Sequence, residues 1–227
     1  MAQEIKDQPI VDVEHAFSKT ELYLEQNKKS LLIIGGVIVA LIGGYLAYKF
    51  WYVSGEEEMA RKDMFRAESY FAMDSLNQAI NGDSVAQGFS TVADEYGVTA
   101  SGNLAQYYMG ISLLRKGQFE EAITHLEEFE SKDQIVSSIA VGAIGDCKME
   151  LGQTDEAITY YLKAAEQNKN KFTTPIYLKK AAMANEEKNN YADAVKLYER
   201  IQSEYAETAE GREMDKYIAR AKTLGNL

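Results

Sequence analysis

The chain is 227 residues long, carries a formal net charge of −11, and contains two histidines and a single cysteine. One thiol, Cys147, excludes an intrachain disulfide, and two histidines leave no Cys/His set with zinc-ligand spacing. The acidic balance argues against partners that repel it, namely phosphate backbones and anionic lipid surfaces.

Residues 1–30 form a short arm with four Lys against six Asp or Glu. Its first ten residues are expected to be disordered. Ser18 and Glu21 stand at capping-box spacing, with Phe17 and Leu22 as the accompanying staple, so a helix is predicted to start near Lys19.

Leu31 to Tyr48 is a run of 18 residues without a charge, and the apolar character continues to Val53, interrupted only by Lys49. As a helix, residues 31–53 would extend about 35 Å, enough to cross a hydrocarbon core of about 30 Å. The acidic arm before it lacks the short basic region of a signal sequence, and no small-x-small cleavage pattern follows, so an uncleaved anchor is expected. Tyr48, Phe50, Trp51 and Tyr52 read as an interfacial belt, with Lys49 reaching toward the headgroups. Lys28 and Lys29 abut the span and place the N-terminus in the cytoplasm and the larger domain on the opposite side. Within the span Gly36, Ala40 and Gly44 recur at i+4 spacing, a ridge that would let another helix approach closely in lipid. Ser54-Gly55 then permits a bend.

Residues 54–227 are expected to form one domain, and from 56 onward they hold 19 Lys or Arg against 29 Asp or Glu. Aligned with itself, this region repeats. Met109-Gly110, Gly117, Phe119, Ala122-Ile123 and Leu126 recur 35 residues later as Ile144-Gly145, Gly152, Thr154, Ala157-Ile158 and Tyr161. After 37 more come Ala181-Ala182, Asn189, Tyr191, Ala194-Val195 and Tyr198. Gly110 and Gly145 would allow close helix approach; Gly117, Gly152 and Asn189 would close helices in the left-handed conformation; Ala122, Ala157 and Ala194 would fit a tight crossing. Independently, Glu95-Tyr96-x-x-Thr99-Ala100-x-Gly102 returns 109 residues on as Glu204-Tyr205-x-x-Thr208-Ala209-x-Gly211. With Phe89 and Tyr198 at matching places, both alignments give one register and four helix pairs.

The pattern resembles the tetratricopeptide repeat, a helix–turn–helix unit of about 34 residues. The first copy is degenerate: its leading helix, near 56–80, is too long, and Ala86 is its only candidate crossing residue. Further helices are predicted near 84–96, 101–115, 118–130, 136–150, 154–167, 175–188, 190–204 and 208–223. Thr174-Pro175 reads as an N-cap and first helical position, and the charged last helix as a cap on the open solenoid end. The expected class is all-α: one N-terminal transmembrane helix, then a tetratricopeptide-repeat-like α-solenoid of about four pairs plus a capping helix.

Catalytic chemistry has little to work with. His15 lies on the arm and His125 beyond the span, where a solvent-facing helix position is expected; no glycine-rich phosphate loop is present. Neither an enzyme, nor a cofactor, nor a small-molecule substrate is expected. Binding would fall to the first helix of each pair, whose periodicity points Tyr107, Ile111, Asp146, Met149, Lys179 and Met183 toward a concave face. Tyrosine and methionine there suit extended polypeptide. The Lys and Asn clusters that clamp chaperone tails in some such repeats are not evident.

The whole arrangement resembles the YfgM family, ancillary subunits of the bacterial Sec translocon. The likeness rests on Lys28-Lys29, the glycine-rich span with Trp51, and the repeat ends Glu95-Tyr96 and Glu204-Tyr205. It implies a plasma-membrane protein with periplasmic repeats that associates with SecYEG and the chaperone PpiD and helps hand over secreted polypeptides. A membrane-tethered repeat adaptor of another envelope or cell-division complex, or of an organelle surface, fits the same residues.

Overall fold

The computed structural model describes residues 23–227, and these divide into two units at the Val53–Ser54 boundary, the second being Ser54–Leu227. The capping box at Ser18 and Glu21, the staple of Phe17 and Leu22, His15 and the first ten residues lie outside the described residues.

In the first unit, helix α1 (Lys28–Ala47) is followed by a π-helical stretch, Tyr48–Val53. An 18-residue window there reaches a mean hydropathy of 2.3, and none of it is buried by the protein. A helix apolar on all sides with no protein cover is what lipid requires, because its backbone polar groups are satisfied internally. The wider π winding falls on the aromatic belt, where the Tyr48 and Tyr52 rings stack at 5.4 Å.

The second unit is entirely helical apart from turns and one isolated β-bridge, Gly82 to Gln87, among the described residues. Its helices are α2 (Ser54–Ala72), α3 (Leu76–Asn81), α4 (Phe89–Glu95), α5 (Ala100–Arg115), α6 (Phe119–Glu128), α7 (Gln134–Glu150), α8 (Thr154–Glu166), α9 (Thr174–Glu187), α10 (Tyr191–Glu204) and α11 (Met214–Gly225), the last preceded by a 3₁₀ turn, Gly211–Glu213. Helices α5 to α11 each pack on the next in sequence as three pairs and a terminal helix, and with the first pair, built from α2, α3 and α4, they give a tetratricopeptide-type solenoid of four pairs.

One turn joins the two helices of every pair. Gly117, Gly152 and Asn189 have φ of 78°, 71° and 61°. The residues after them donate back five positions, Gln118 to Leu113 at 2.9 Å, Gln153 to Lys148 at 2.8 Å and Asn190 to Asn185 at 2.8 Å. This Schellman closure satisfies carbonyls that the helix end would otherwise leave unpaired.

The first pair uses the same turn, and here the sequence expectation is corrected. Asp74 has φ 60° and Ser75 donates to Tyr70 at 2.9 Å, so the predicted helix at 56–80 is two helices, α2 and α3. The second helix of the pair is then broken into α3 and α4 by an excursion at residues 82–88. Asp83 organises it, accepting from Val85 and Ala86 at 2.8 and 2.9 Å and from the Tyr70 hydroxyl at 2.6 Å. Ala86 therefore lies in a loop; the fully buried alanine of this helix is Ala79. The predicted helix at 84–96 is accordingly shortened to α4.

The small residues of the other pairs stand where close approach demands them. Ala122, Ala157 and Ala194 are completely buried. A Cβ at Gly110 would collide with Leu126, and one at Gly145 would lie 2.7 Å from the Tyr161 ring. Phe89, Leu126, Tyr161 and Tyr198, one per pair, are all buried, and Phe89 stacks on Tyr108 at 4.9 Å. At the start of α9 the helix begins one residue earlier than expected, with Pro175 in its first turn. Asn170 caps the approach by accepting from Phe172 and Thr173, each at 2.8 Å, while the Thr174 hydroxyl donates to Ala165 at 3.1 Å.

Candidate docking surfaces

On α1 the residues Gly36, Ala40 and Gly44 are exposed, and nothing lies within 4 Å of where a Cβ would stand at either glycine. The ridge therefore has no partner among the described residues.

The six residues assigned to the first-helix face sit on α5, α7 and α9, and none is buried. Tyr107 and Ile111 are half-buried against the N-terminal core cluster, with the Tyr107 ring 5.2 Å from Phe129 and 5.6 Å from Tyr108. That packing removes water from Tyr107 and raises the pKa of its hydroxyl. Met149 is half-buried against the C-terminal cluster, and Met183 is 47% exposed. Lys179 lies 4.6 Å over the Tyr217 ring and 3.6 Å from Glu213, so it is engaged with the terminal helix.

Asp146 belongs to a tighter arrangement. Lys180 donates to both its carboxylate oxygens, at 2.6 and 2.7 Å, and the Tyr161 hydroxyl donates to it at 2.8 Å. The Tyr161 and Tyr177 rings stack at 6.4 Å, and Lys180 stands 5.7 Å from each ring centre. The Tyr177 ring occupies the space a side chain at Gly142 would take. Burial first, and the Asp146 charge second, push the hydroxyls of Tyr161 and Tyr177 far up. Sequence periodicity found Asp146 but missed Gly142, Tyr177 and Lys180; the absent side chain of Gly142, one turn before Asp146 on α7, was the available signal.

Two depressions lie on this unit. Toward the N-terminus a hollow of about 450 Å³ is floored by Met64 and Leu104 and flanked by Glu57, Arg61, Phe65 and Glu68. Glu57 is already committed, accepting from the Ser101 amide at 3.0 Å and its hydroxyl at 2.9 Å, which ties α2 to the start of α5. Toward the C-terminus a hollow of about 250 Å³ is lined by Met149, Tyr161, Lys180, Met183, Ala184 and Glu187.

His125, expected to face solvent, is half-buried, and its Nδ1 lies 2.6 Å from the Gln106 side-chain oxygen. The polar neighbour on α5 draws the ring inward across the helix pair. Cys147 is completely buried on α7.

The tetratricopeptide repeat family model matches residues 107–172 and 149–210, that is, the second to fourth pairs. No curated protein matches the chain. Tetratricopeptide repeats recognise other proteins, so protein partners follow for this array.

Proposed function

We propose that the chain is a membrane-anchored, non-enzymatic docking subunit that holds its repeats beside the bilayer, where they engage a protein partner or an emerging polypeptide. The observation that carries this reading is the pairing, in one chain, of a helix long and apolar enough to span a membrane with a repeat array whose first-helix face presents Met149 and Met183. Tethering confines the array to a thin layer and raises its effective concentration near membrane-bound partners without any covalent step. Lys28 and Lys29 support an N-terminus in the cytoplasm, with the repeats on the other face of a bacterial plasma membrane. Gly36, Ala40 and Gly44 would then meet a helix of the partner.

Within that class the features read from the sequence favour an accessory subunit of the Sec translocon, with SecYEG and a PpiD-like chaperone as partners. Crosslinking in native membranes, followed by mild-detergent purification and mass spectrometry, tests it. Recovery of translocon subunits supports the reading; recovery of division or transport proteins alone transfers the chain to another envelope complex. Labelling a Lys132→Cys variant with a membrane-impermeant thiol reagent in intact cells checks the sidedness. Lys132 is exposed, whereas the native Cys147 is buried and silent.

A further inference from the structure

At the middle of the first-helix face the protein's own side chains engage one another. Tyr177 of α9 fills the space over Gly142, and Lys180 is neutralised by its paired bonds to Asp146.

The hollow on the C-terminal side has a divided chemistry. Met149, Met183 and Ala184 supply apolar walls, and methionine side chains re-pack around ligands of differing shape. The one cation lining it, Lys180, is already spent on Asp146. Glu187 lines the same hollow and makes no ion pair among the described residues; nor does Glu150, which follows Met149 at the end of α7. The result is an apolar recess beside uncompensated negative charge, in a domain that is itself strongly acidic.

We propose that this hollow is a recognition site for a protein segment that presents a large apolar side chain flanked by Lys or Arg. The proposal rests on the docking function above and narrows it to one place and one ligand chemistry. Charge complementarity selects the flanking residues: Glu187, which lines the hollow, attracts a basic neighbour and repels an acidic one, and Glu150, next to Met149 in the chain, adds to the negative charge nearby, which gives specificity more than raw affinity. The apolar residue is selected by the methionine walls, which it covers and removes from water as a polar side chain does not. The N-terminal hollow is the weaker site, because Arg61 lies within it and Glu57 is held by Ser101.

The test uses the full-length protein in neutral detergent and pentapeptides carrying a photo-activatable leucine at the centre, flanked either by two lysines or by two glutamates. Crosslinked residues are mapped by mass spectrometry, so adsorption of peptide to the micelle does not confuse the readout. The lysine-flanked peptide is expected to label Met149, Met183 or Tyr161, with yield falling about tenfold for the glutamate-flanked peptide or for the double variant Glu150→Gln, Glu187→Gln. Both glutamates are exposed, and circular dichroism of the double variant should match the parent. Equal labelling by the two peptides, unchanged labelling of the double variant, or labelling concentrated at Phe65 and Leu104 would overturn the proposal. If native-membrane crosslinking still recovers protein partners while these peptides fail to discriminate, the pocket is wrong and the docking function stands; if it recovers none, the docking function itself is lost.

Discussion

Cys147 and Gly142 lie five residues apart on α7 and show how much single side chains decide. Burial, and then the neighbouring Asp146 charge, push the Cys147 thiol up to about 12. Reactivity belongs to the thiolate, so the folded protein should resist alkylation at mildly alkaline pH and react fully once denatured; time-resolved mass spectrometry of the iodoacetamide adduct checks this. Labelling of the native state at the rate of a free thiol would contradict the buried placement. At Gly142 an added methyl group would have to displace the Tyr177 ring, which is itself only 6% exposed and stacked on Tyr161. Gly142→Ala is therefore expected to cost about 1–3 kcal/mol, read as a lowered thermal midpoint. The sequence offered Gly142 only as a glycine in a helix; the reason for it lies 35 residues away on α9.

The repeated Glu-Tyr-x-x-Thr-Ala-x-Gly segment is a structural knuckle between successive helices. In each copy the tyrosine ends a helix and is buried, Tyr96 at 9% and Tyr205 at 8% exposure. The threonine hydroxyl donates to the tyrosine carbonyl, at 2.7 Å for Thr99 and 2.8 Å for Thr208, and accepts from the glycine amide, at 2.9 and 3.0 Å. The glycine then sits against that carbonyl, where a Cβ on Gly102 or Gly211 would collide with backbone that has no room to yield. Thr208→Ala should cost about 1 kcal/mol, as loss of a cap does. Gly211→Ala should cost more and release α11, seen as faster amide exchange confined to Met214–Gly225. Equal exchange in the two variants would mean that the glycine serves no steric purpose. The same scale explains the missed turn at Asp74. Gly117, Gly152 and Asn189 announce left-handed closure by residue type, whereas aspartate is as ordinary on a helix surface as at its end. The excursion at 82–88 then lengthened the interval from Asp74 to Gly117 and hid the match.

At the scale of the whole molecule, one unit is a helix long and apolar enough to span a membrane and the other carries its own core, and they should part company experimentally. A fragment of residues 54–227 is expected to remain soluble and helical without detergent, while the full chain requires an amphiphile; sedimentation with and without detergent checks both halves of the statement. The helical unit should also be sensitive to alkali. Cys147, Tyr161, Tyr177 and Tyr198 all have pKa values raised by burial. The unfolded chain releases these protons near 9.0 and 10.0, the ordinary values, while the folded state retains them to higher pH. The folded state thus binds more protons in that window, and stability present below about pH 9 should fall steadily above it. Helical circular dichroism and tyrosinate absorbance should change together; full tyrosine ionisation with the helices intact would contradict this burial.

The sequence by itself determined the class of the molecule. A long uncharged apolar run has one low-energy environment, and small residues recurring in register at helix crossings and turns specify a helical-pair array, because both signals are local and periodic. Pairs two to four were legible in this way almost to the residue. Tertiary structure alone decided what the first-helix face offers a partner. Whether Asp146 is free or held by Lys180 and Tyr161, and whether Gly142 opens a groove or receives Tyr177, depends on side chains from three different helices. Such contacts leave no period in the chain, since they arise only when α7, α8 and α9 are packed against one another.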